Sequence, residues 1–523
     1  MGLLAGPAAA LTPEQAHALA AGDNDERIAA LQASLARGDE GLAPMLQALL
    51  DDAVKLSGGK AWIVRGEGVT EAGTGTPAPS ALPADAEEVI NSNQMRREID
   101  AALAALQLFS DQLAQRQQAV RALTEEGADV ARLPLVDKAL TAETDEGLKV
   151  QLQLLRATLL LGADDVALRT QAVQALARAG RTPAVRALLL ERLKPVAEGG
   201  EGDAGVRRLV SLALNQVESR LAWADRLGVL FTGVSLGSIL LLAALGLAIT
   251  YGLMGVINMA HGELMMVGAY ATYVVQNLFK SFLPAWFDAY ILVAIPVAFL
   301  VSALVGAAME RSVIRWLYGR PLETLLATWG LSLVLMQTVR TVFGAQNVPV
   351  ENPAWLSGGV VVLGHLTLPY NRIAIVAFAA LVLVGVSLLM TRTRLGLFVR
   401  GVTQNRRMAA CVGIHTARID TFAFALGSGL AGLAGCALSQ LGNVGPDLGQ
   451  SYIVDSFMVV VLGGVGQLAG TVYAALGLGV LNKLLENWQG AVLAKIMVLV
   501  LIVVFIQKRP QGLFAMKGRS AEA

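Results

Sequence analysis

The sequence predicts an all-α protein in two parts, a mainly helical soluble domain followed by a membrane domain of about eight or nine spans, some of them broken. The balance of charge changes at Arg226. Up to that residue there are 23 Lys and Arg against 31 Asp and Glu, and after it there are 18 Lys and Arg against 10 Asp and Glu. Apolar runs of about 20 residues, the length that a helix needs to cross a bilayer, occur only beyond this point. The two parts therefore belong to different environments.

The first ten residues, MGLLAGPAAA, form a short apolar stretch that ends in alanines and has no basic residue. They are typical of the remnant of a secretory signal peptide, or equally of a disordered alanine-rich start. Residues 11–205 follow as a helical domain. Its pattern breaks between Lys60 and Pro83, where KAWIVRGEG predicts a short strand pair and the Gly/Thr/Pro-rich stretch after it predicts a loop.

Two stretches of this domain, Leu135–Leu161 and Ala163–Leu193, have the pattern helix, break, helix. The second resembles HEAT repeats in its Ala/Leu spacing and its Gly-Arg-Thr-Pro turn. Such units stack around a shared core and often present a binding surface. We therefore predict a HEAT-like domain that a linking helix at 206–226 joins to a membrane domain at 227–517, with a short tail at 518–523.

Eight apolar runs make up the membrane domain, and one of them is too long for a single span. Glycines interrupt that run around GGVGQLAG, so we expect it to form two shorter segments and the domain to cross about nine times. The runs lie near residues 227–250, 254–278, 289–309, 323–343, 372–391, 420–438, 454–485 and 491–507.

A basic island between Arg392 and Arg418 contains six arginines and no acidic residue. The positive-inside bias places this island in the cytoplasm. The loop around Arg315 and the tail after Lys508 are then cytoplasmic too. With an odd number of crossings, the first 226 residues lie outside the cytoplasm, in agreement with a signal peptide.

A short amphipathic helix is predicted inside the island, from Gln404 to about Val412, with Thr403 as its N-cap and Gly413 as its left-handed end. Apolar side chains fall on one face, with the small Ala409 beside them and polar residues on the flanks. Such a helix is typical of a docking element for another protein, although an ordinary charged loop fits the spacing as well. The residues of this candidate docking helix are Gln404, Asn405, Met408, Ala409, Cys411 and Gly413.

The segment YGLMGVINMAHGELMMVGAY places Asn258, His261 and Glu263 in a stretch that must otherwise suit lipid. Polar groups at this depth face a cavity or a partner and mark transport pathways. Thr328 and Gln440 are two further pathway candidates. The alternative is structural: the three polar residues of the segment bond to neighbouring helix ends and hold a helix break in shape. The small residues of ALGSGLAGLAGCALS, by contrast, indicate tight helix packing.

Enzyme chemistry finds little support. Two cysteines and four histidines provide neither a disulfide framework nor a metal site. His261 and Glu263 have the wrong spacing for a zinc-protease helix, and no nucleophile motif accompanies them. Since there is also no P-loop pattern, we expect no catalytic residue, metal or cofactor in this chain. Any ATP that drives transport would be used by separate subunits, and no nucleic-acid partner is expected.

The membrane half resembles the permeases of branched-chain amino-acid-type ABC importers over nearly its whole length. The matching motifs, in order, are YGLMGVINMAHGELMMVGAY, LLATWGLSLVLMQTVRTVFG, TRLGLFVRGVTQNRRMAACVGI, VVVLGGVGQLAGT and KRPQGLF. The helical extension before them, together with TQNRRMAACVGI, looks most like the urea permease subgroup. Cys411 departs modestly from the family, in which many members carry Leu.

The resemblance implies a multi-pass protein of the bacterial inner membrane that works by alternating access. Its implied partners are a second homologous permease, two ATP-binding-cassette ATPase subunits, an extracytoplasmic binding protein and membrane lipid. Residues 404–413 would be the helix that couples to the ATPase. Urea is the favoured substrate, with branched-chain amino acids or short amides as alternatives. A membrane-anchored interaction protein and a proton-coupled secondary transporter are the competing classes.

Overall fold

The computed structural model describes residues 11–37, 41–65, 68–74, 76–77, 86–126, 130–180, 182–362 and 366–514. The predicted signal-peptide remnant at 1–10 and the tail at 518–523 lie outside these residues. The chain divides into two compact units, Met1–Ala222 and Trp223–Ala523. The division falls within one long helix.

Nine α-helices, the first part of a tenth and one small sheet lie in the described part of the first unit. The helices are α1 (Pro13–Ala20), α2 (Asn24–Arg37), α3 (Leu42–Leu50), α4 (Asn93–Gln107), α5 (Leu113–Glu126), α6 (Leu133–Ala142), α7 (Glu146–Leu160), α8 (Val166–Ala179) and α9 (Pro183–Arg192). The strands are β1 (Val54–Ser57), β2 (Lys60–Arg65), β3 (Gly68–Glu71) and β4 (Glu87–Glu88), in the antiparallel order β3-β2-β1-β4. A strand pair is present at the predicted place, as β2 with β3, but β3 extends to Glu71, into the stretch that the sequence predicts as a loop.

The helix, break, helix pattern is present at both predicted places, as α6–α7 and α8–α9. The side-chain contacts between helices, however, repeat from a different starting helix. Arg116 on α5 donates to both carboxylate oxygens of Glu143 at 2.8 and 3.0 Å, and Arg169 on α8 contacts Glu201 in the same way at 3.0 and 3.1 Å. Each arginine also donates to two carbonyl oxygens at the turn before its own helix.

An aspartate follows each of these glutamates by two residues and caps the next helix. Asp145 accepts a bond from Leu148 N at 2.8 Å, and Asp203 accepts one from Val206 N at 2.9 Å. The repeating structural unit therefore begins at α5 and again at α8, rather than at the predicted Leu135. The HEAT assignment itself stays a prediction.

Acid should weaken the first of these ion pairs. Hydrogen bonds from Arg116, and then from the backbone of Asp145 and Thr144, hold the pKa of Glu143 below its ordinary value. A lowered folded-state pKa stabilises the fold above the ordinary glutamate value of about 4.3, and this stabilisation is lost as the pH falls through the folded-state pKa. We expect the purified chain to melt at a higher temperature than Glu143→Gln near pH 7, with a smaller difference near about pH 3. An equal difference at both pH values would contradict this prediction.

Eleven helices and one hairpin are described in or entering the second unit. The helices are α10 (Ala204–Met254), α11 (His261–Phe282), α12 (Tyr290–Ser312), α13 (Pro321–Phe343), α14 (Tyr370–Arg392), α15 (Arg394–Gln404), α16 (Arg406–Cys411), α17 (Thr416–Ser439), α18 (Leu448–Gly463), α19 (Leu468–Gln489) and α20 (Ala491–Lys508). The hairpin pairs β5 (Gly359–Val362) with β6 (Leu366–Pro369). The predicted linking helix and first span together form the single helix α10.

Seven of the described helices are long and apolar enough to cross a membrane, namely α10, α12, α13, α14, α17, α19 and α20. α18 is apolar but has only 16 residues. α11 is not among the seven, and it carries polar residues at both ends, His261 and Glu263 in its first turn and Gln276 and Lys280 in its last turns. The predicted split of the long run is confirmed, since α18 ends at Gly463 and α19 begins at Leu468.

α17 is the central helix of this unit and packs closely against α11 and α12. Its small residues allow direct backbone contact, as the sequence pattern predicts. A methyl group added at Gly435 would overlap the carbonyl oxygen of Met265, and one added at Gly432 would overlap Ser302 on α12. On α11, a methyl group at Gly268 would overlap the backbone of Gly432. These contacts fix α11, whose first turn carries the candidate pathway residues.

Candidate functional site

The membrane helices are interrupted between α10 and α11. α10 ends at Met254, Gly255 has a φ of +67°, and the helix resumes only at His261. A positive φ of this kind favours glycine because a Cβ would strain the backbone. Within the break, Asn258 accepts a bond from Ala260 N at 3.1 Å and is 2% exposed. Asn258 thus shapes the break.

Thr328 on α13 holds the same break from the opposite side. Its hydroxyl accepts a bond from Met259 N at 3.2 Å and lies 2.8 Å from the carbonyl oxygen of Thr324. The side chain is completely buried. Thr328 therefore joins α13 to the non-helical segment 255–260.

His261 faces α10. It is completely buried, and its Nε2 lies 2.9 Å from the carbonyl oxygen of Ala243. A carbonyl can only accept, so Nε2 carries the proton. This contact favours the structural role for His261 that the sequence left open.

Glu263 keeps unused bonding capacity, as do Asn258 at Nδ2 and His261 at Nδ1, which are buried and have no hydrogen-bond partner among the described residues. Glu263 is 1% exposed, and its Oε1 accepts a bond from Ser332 Oγ at 3.0 Å. Oε2 is buried and has no hydrogen-bond partner among the described residues, and the same holds for the hydroxyl of Tyr270. Asp447 interacts electrostatically with both groups, and Arg340 with Glu263. A buried oxygen without a partner costs free energy unless a ligand or water satisfies it.

Gln440 lies apart from this group, at the end of α17. Its Oε1 is 3.2 Å from the hydroxyl of Tyr290, and its carbonyl oxygen accepts a bond from Asn371 at 3.0 Å. It borders an apolar cavity of about 290 Å³ that Ile375 and Phe378 also line. The structure thus brings Asn258, Thr328 and Glu263 together along α11 and α13 but does not add Gln440 to them.

A second cavity, of about 280 Å³, lies where α17 connects to α18. Its polar lining comes from Asn347, Asn443, Asp447, Ser451 and Tyr452. Asp447 is the charged group that this cavity shares with the surroundings of Glu263.

Two residues of this region, Ser332 and Tyr270, were not among the sequence candidates. Ser332 bonds to Glu263, and the buried hydroxyl of Tyr270 has no partner among the described residues. Ser332 follows Thr328 by one helical turn, so the i, i+4 spacing on α13 was the signal available for it. Tyr270 lay inside the quoted motif but shows no pattern of its own.

The basic island folds as two helices rather than the one predicted. Thr403 is part of α15, where its hydroxyl donates to Val399 O at 2.8 Å, and Gln404 is the last residue of that helix. Asn405 is the true N-cap of α16, since its side chain accepts a bond from Met408 N at 2.9 Å. Gly413 ends the segment with a φ of +89°, as predicted.

The apolar face of α16 is exposed. Met408 is 60% and Val412 70% exposed, and Cys411 is exposed beside them. Ala409 lies on the opposite side and is 3% exposed, so it packs inward instead of joining the stripe. Gln404 and Arg400 on α15 border a cavity of about 670 Å³ that Gly252 on α10 and Gln467 before α19 also line. We call the side chains of Met408, Cys411 and Val412 the α16 face.

Curated relatives match the second unit. BraD of Pseudomonas aeruginosa, a high-affinity branched-chain amino acid transport system permease protein, is 28% identical over 288 residues, which are 54% of this chain and 94% of BraD. LivH of Escherichia coli K12 is 28% identical over 297 residues with the same coverage. A probable LivH of Methanocaldococcus jannaschii is 24% identical over 296 residues, covering 53% of this chain and 88% of that protein. No solved structure matches.

The family model described as "Branched-chain amino acid transport system / permease component" matches residues 229–506. That segment contains the α10–α11 break, Glu263 and the α16 face. The relatives are transport permease components. Because the match covers more than half of the chain, the protein belongs to the branched-chain amino acid transport permease family.

Proposed function

We propose that this chain is the permease subunit of an ATP-driven importer that moves urea inward across the bacterial inner membrane by alternating access. The observation that carries the proposal is the exposed α16 face within a permease-family fold. A short exposed apolar helix in a cytoplasmic loop is suited to the groove of a separate ATPase. ATP would be bound and hydrolysed there, since this chain contains no P-loop sequence.

The proposed assembly contains a second homologous permease, two ATPase subunits and an extracytoplasmic binding protein that delivers substrate. In the proposed orientation the basic segments at Arg315, Arg392–Arg418 and Lys508 are cytoplasmic. The first unit then lies outside the cytoplasm. Its helical repeat surface is our candidate for docking the loaded binding protein.

Glu263 is our candidate for contact with the substrate. Thr328 already bonds within the fold, whereas Glu263 Oε2 and His261 Nδ1 have no partner among the residues that the structure describes. Urea is small and neutral and carries both donors and an acceptor. A buried carboxyl oxygen beside the hydroxyl of Ser332 can satisfy such a molecule without an apolar pocket.

Branched-chain amino acids are the second candidate substrate, because the relatives' names specify them. One observation favours urea. The first unit lies outside the segment that the family model matches, and an extension of this kind resembles the urea permease subgroup. Short amides share the hydrogen-bonding groups of urea.

Uptake of radiolabelled urea and leucine tests the proposal directly. We would compare cells that lack the chain with cells in which it is restored, each with and without ATP depletion. We expect cells that lack the chain to lose ATP-dependent urea uptake and restored cells to recover it. Leucine uptake should be the same in both. Recovery of leucine uptake instead would replace urea by the second candidate. Uptake that survives ATP depletion would overturn the ATP-driven importer and indicate a secondary transporter.

A further inference from the structure

A cluster of charged and aromatic side chains, with two completely buried carboxylates at its centre, connects α16 to the helix break. It consists of Arg406 on α16, Asp420 on α17, Glu310 on α12, Tyr318 just after α12, and Met254 at the end of α10. We call these five residues the Arg406 cluster. No part of the pathway or of the α16 face includes it.

Arg406 reaches inward from α16. It forms an ion pair with Asp420, which is completely buried, and its guanidinium lies 5.1 Å from the centre of the Tyr318 ring. A guanidinium over a tyrosine ring is attracted to the face of the ring. The second carboxylate oxygen of Asp420 has no partner among the described residues, so Arg406 is the cation on which Asp420 depends.

Tyr318 continues the connection. Its hydroxyl donates to Glu310 Oε1 at 2.9 Å and lies 3.4 Å from Met254 Sδ. Glu310 is completely buried and is held from two other sides, by Thr421 Oγ1 at 2.6 Å and by Arg315 at 3.3 Å. The cluster therefore ties α16 to α12, α17 and the last residue of α10.

The two buried carboxylates, Glu310 and Asp420, hold this cluster together. Separating a buried carboxylate from its cation leaves an uncompensated charge, which is much more costly than moving both together. Met254 directly precedes Gly255, whose positive φ marks the start of the break, and backbone breaks of this kind absorb changes in φ and ψ. A displacement of α16 that carries Arg406 with it would therefore also displace the segment 255–260.

We propose that Arg406 and Tyr318 are positioning residues that transmit movement of α16 to the α10–α11 break and so to Glu263. The inference rests on the proposed function, because it takes α16 as the site that the ATPase moves. It goes beyond that function in naming the side chains that convert docking into a change at the pathway.

The test uses Tyr318→Phe, which keeps the ring beneath Arg406 but removes the hydroxyl that contacts Glu310 and Met254, and Arg406→Lys, which keeps the charge but loses the planar stacking. Tyr473→Phe is the matched control, since it removes a hydroxyl from a ring that stacks on Phe514 at 5.8 Å outside the cluster. For each variant, we measure uptake of radiolabelled urea and leucine, and we measure ATP hydrolysis by the complex purified from native membranes. The ratio of uptake to hydrolysis is the transport per ATP. Hydrogen exchange of segment 255–260 is measured on the purified full chain.

Tyr318→Phe and Arg406→Lys should keep the ATPase bound and active but lower transport per ATP by about 2- to 30-fold, the range of mutations along a coupling path. Exchange of segment 255–260 should rise in both variants, and Tyr473→Phe should match the wild type in each measurement. Wild-type transport per ATP in both variants would overturn the inference while leaving the importer intact. A wild-type chain that supports neither ATPase binding nor uptake would instead overturn the proposed function.

Discussion

Val412→Glu and Met408→Glu should each abolish ATP-driven uptake. Both side chains are more than half exposed, so the substitutions change the unfolding free energy by only about 0.5 kcal/mol. At the centre of a docking interface, by contrast, a buried charge without a partner costs about 2 kcal/mol or more, which corresponds to about 30-fold in affinity. The measurement is co-purification of an ATPase subunit from native membranes, together with uptake in cells.

Val361→Glu is the matched control for Val412→Glu. Val361 on β5 is 62% exposed and Val412 is 70% exposed, so the two changes are the same in chemistry and nearly the same in exposure. The hairpin lies on the side opposite to α16 in the proposed orientation, and the control should keep both ATPase association and uptake. Undiminished uptake with Val412→Glu would remove α16 as the docking element.

Ala409→Arg is a poor probe of docking, although Ala409 is one of the docking-helix residues that the sequence predicts. Ala409 is 3% exposed, and an arginine there would have to displace the packing between α16 and its neighbours. Loss of uptake in that variant would report on folding. The exposed residues of the α16 face separate the two effects.

Local patterns predicted well those features that depend on local chemistry. The strand pair at KAWIVRGEG, the division of the long run before Leu468 and the left-handed end at Gly413 all follow from glycine or from β-forming residues. Small residues spaced for close packing likewise predicted the contacts of α17, because only backbone and small side chains fit there.

The errors arose where two local signals compete and packing decides. Thr403 and Asn405 are both good N-caps, and burial of Val402 and Ala409 on either side of Asn405 selects the second. α10 continues through the charged pair at Asp225 and Arg226 because neither residue breaks helical hydrogen bonds. The i, i+4 spacing from Thr328 was the sequence signal for Ser332, and the fold then places it against Glu263.

Removal of the Glu263 carboxyl group separates the two remaining transport mechanisms. Glu263→Ala deletes the buried oxygen that has no partner among the described residues and also leaves Ser332 without its acceptor. A hydrogen bond to such a group contributes about 1.5 to 3 kcal/mol, so uptake should fall by about 10- to 100-fold. Glu263→Gln preserves the shape and the bonding capacity of the side chain, and it should restore most of the uptake if Glu263 only hydrogen-bonds the substrate.

Glu323→Gln is the control for the isosteric change, because Glu323 is an exposed member of a surface ion pair with Arg320. Its uptake should equal that of the wild type. A proton-coupled transporter would give a different pattern, since an amide cannot carry the proton that a carboxyl group carries. Glu263→Gln would then be as inactive as Glu263→Ala, and wild-type uptake would survive ATP depletion. The two glutamate variants measured with and without ATP therefore distinguish a residue that binds the substrate from one that drives its movement.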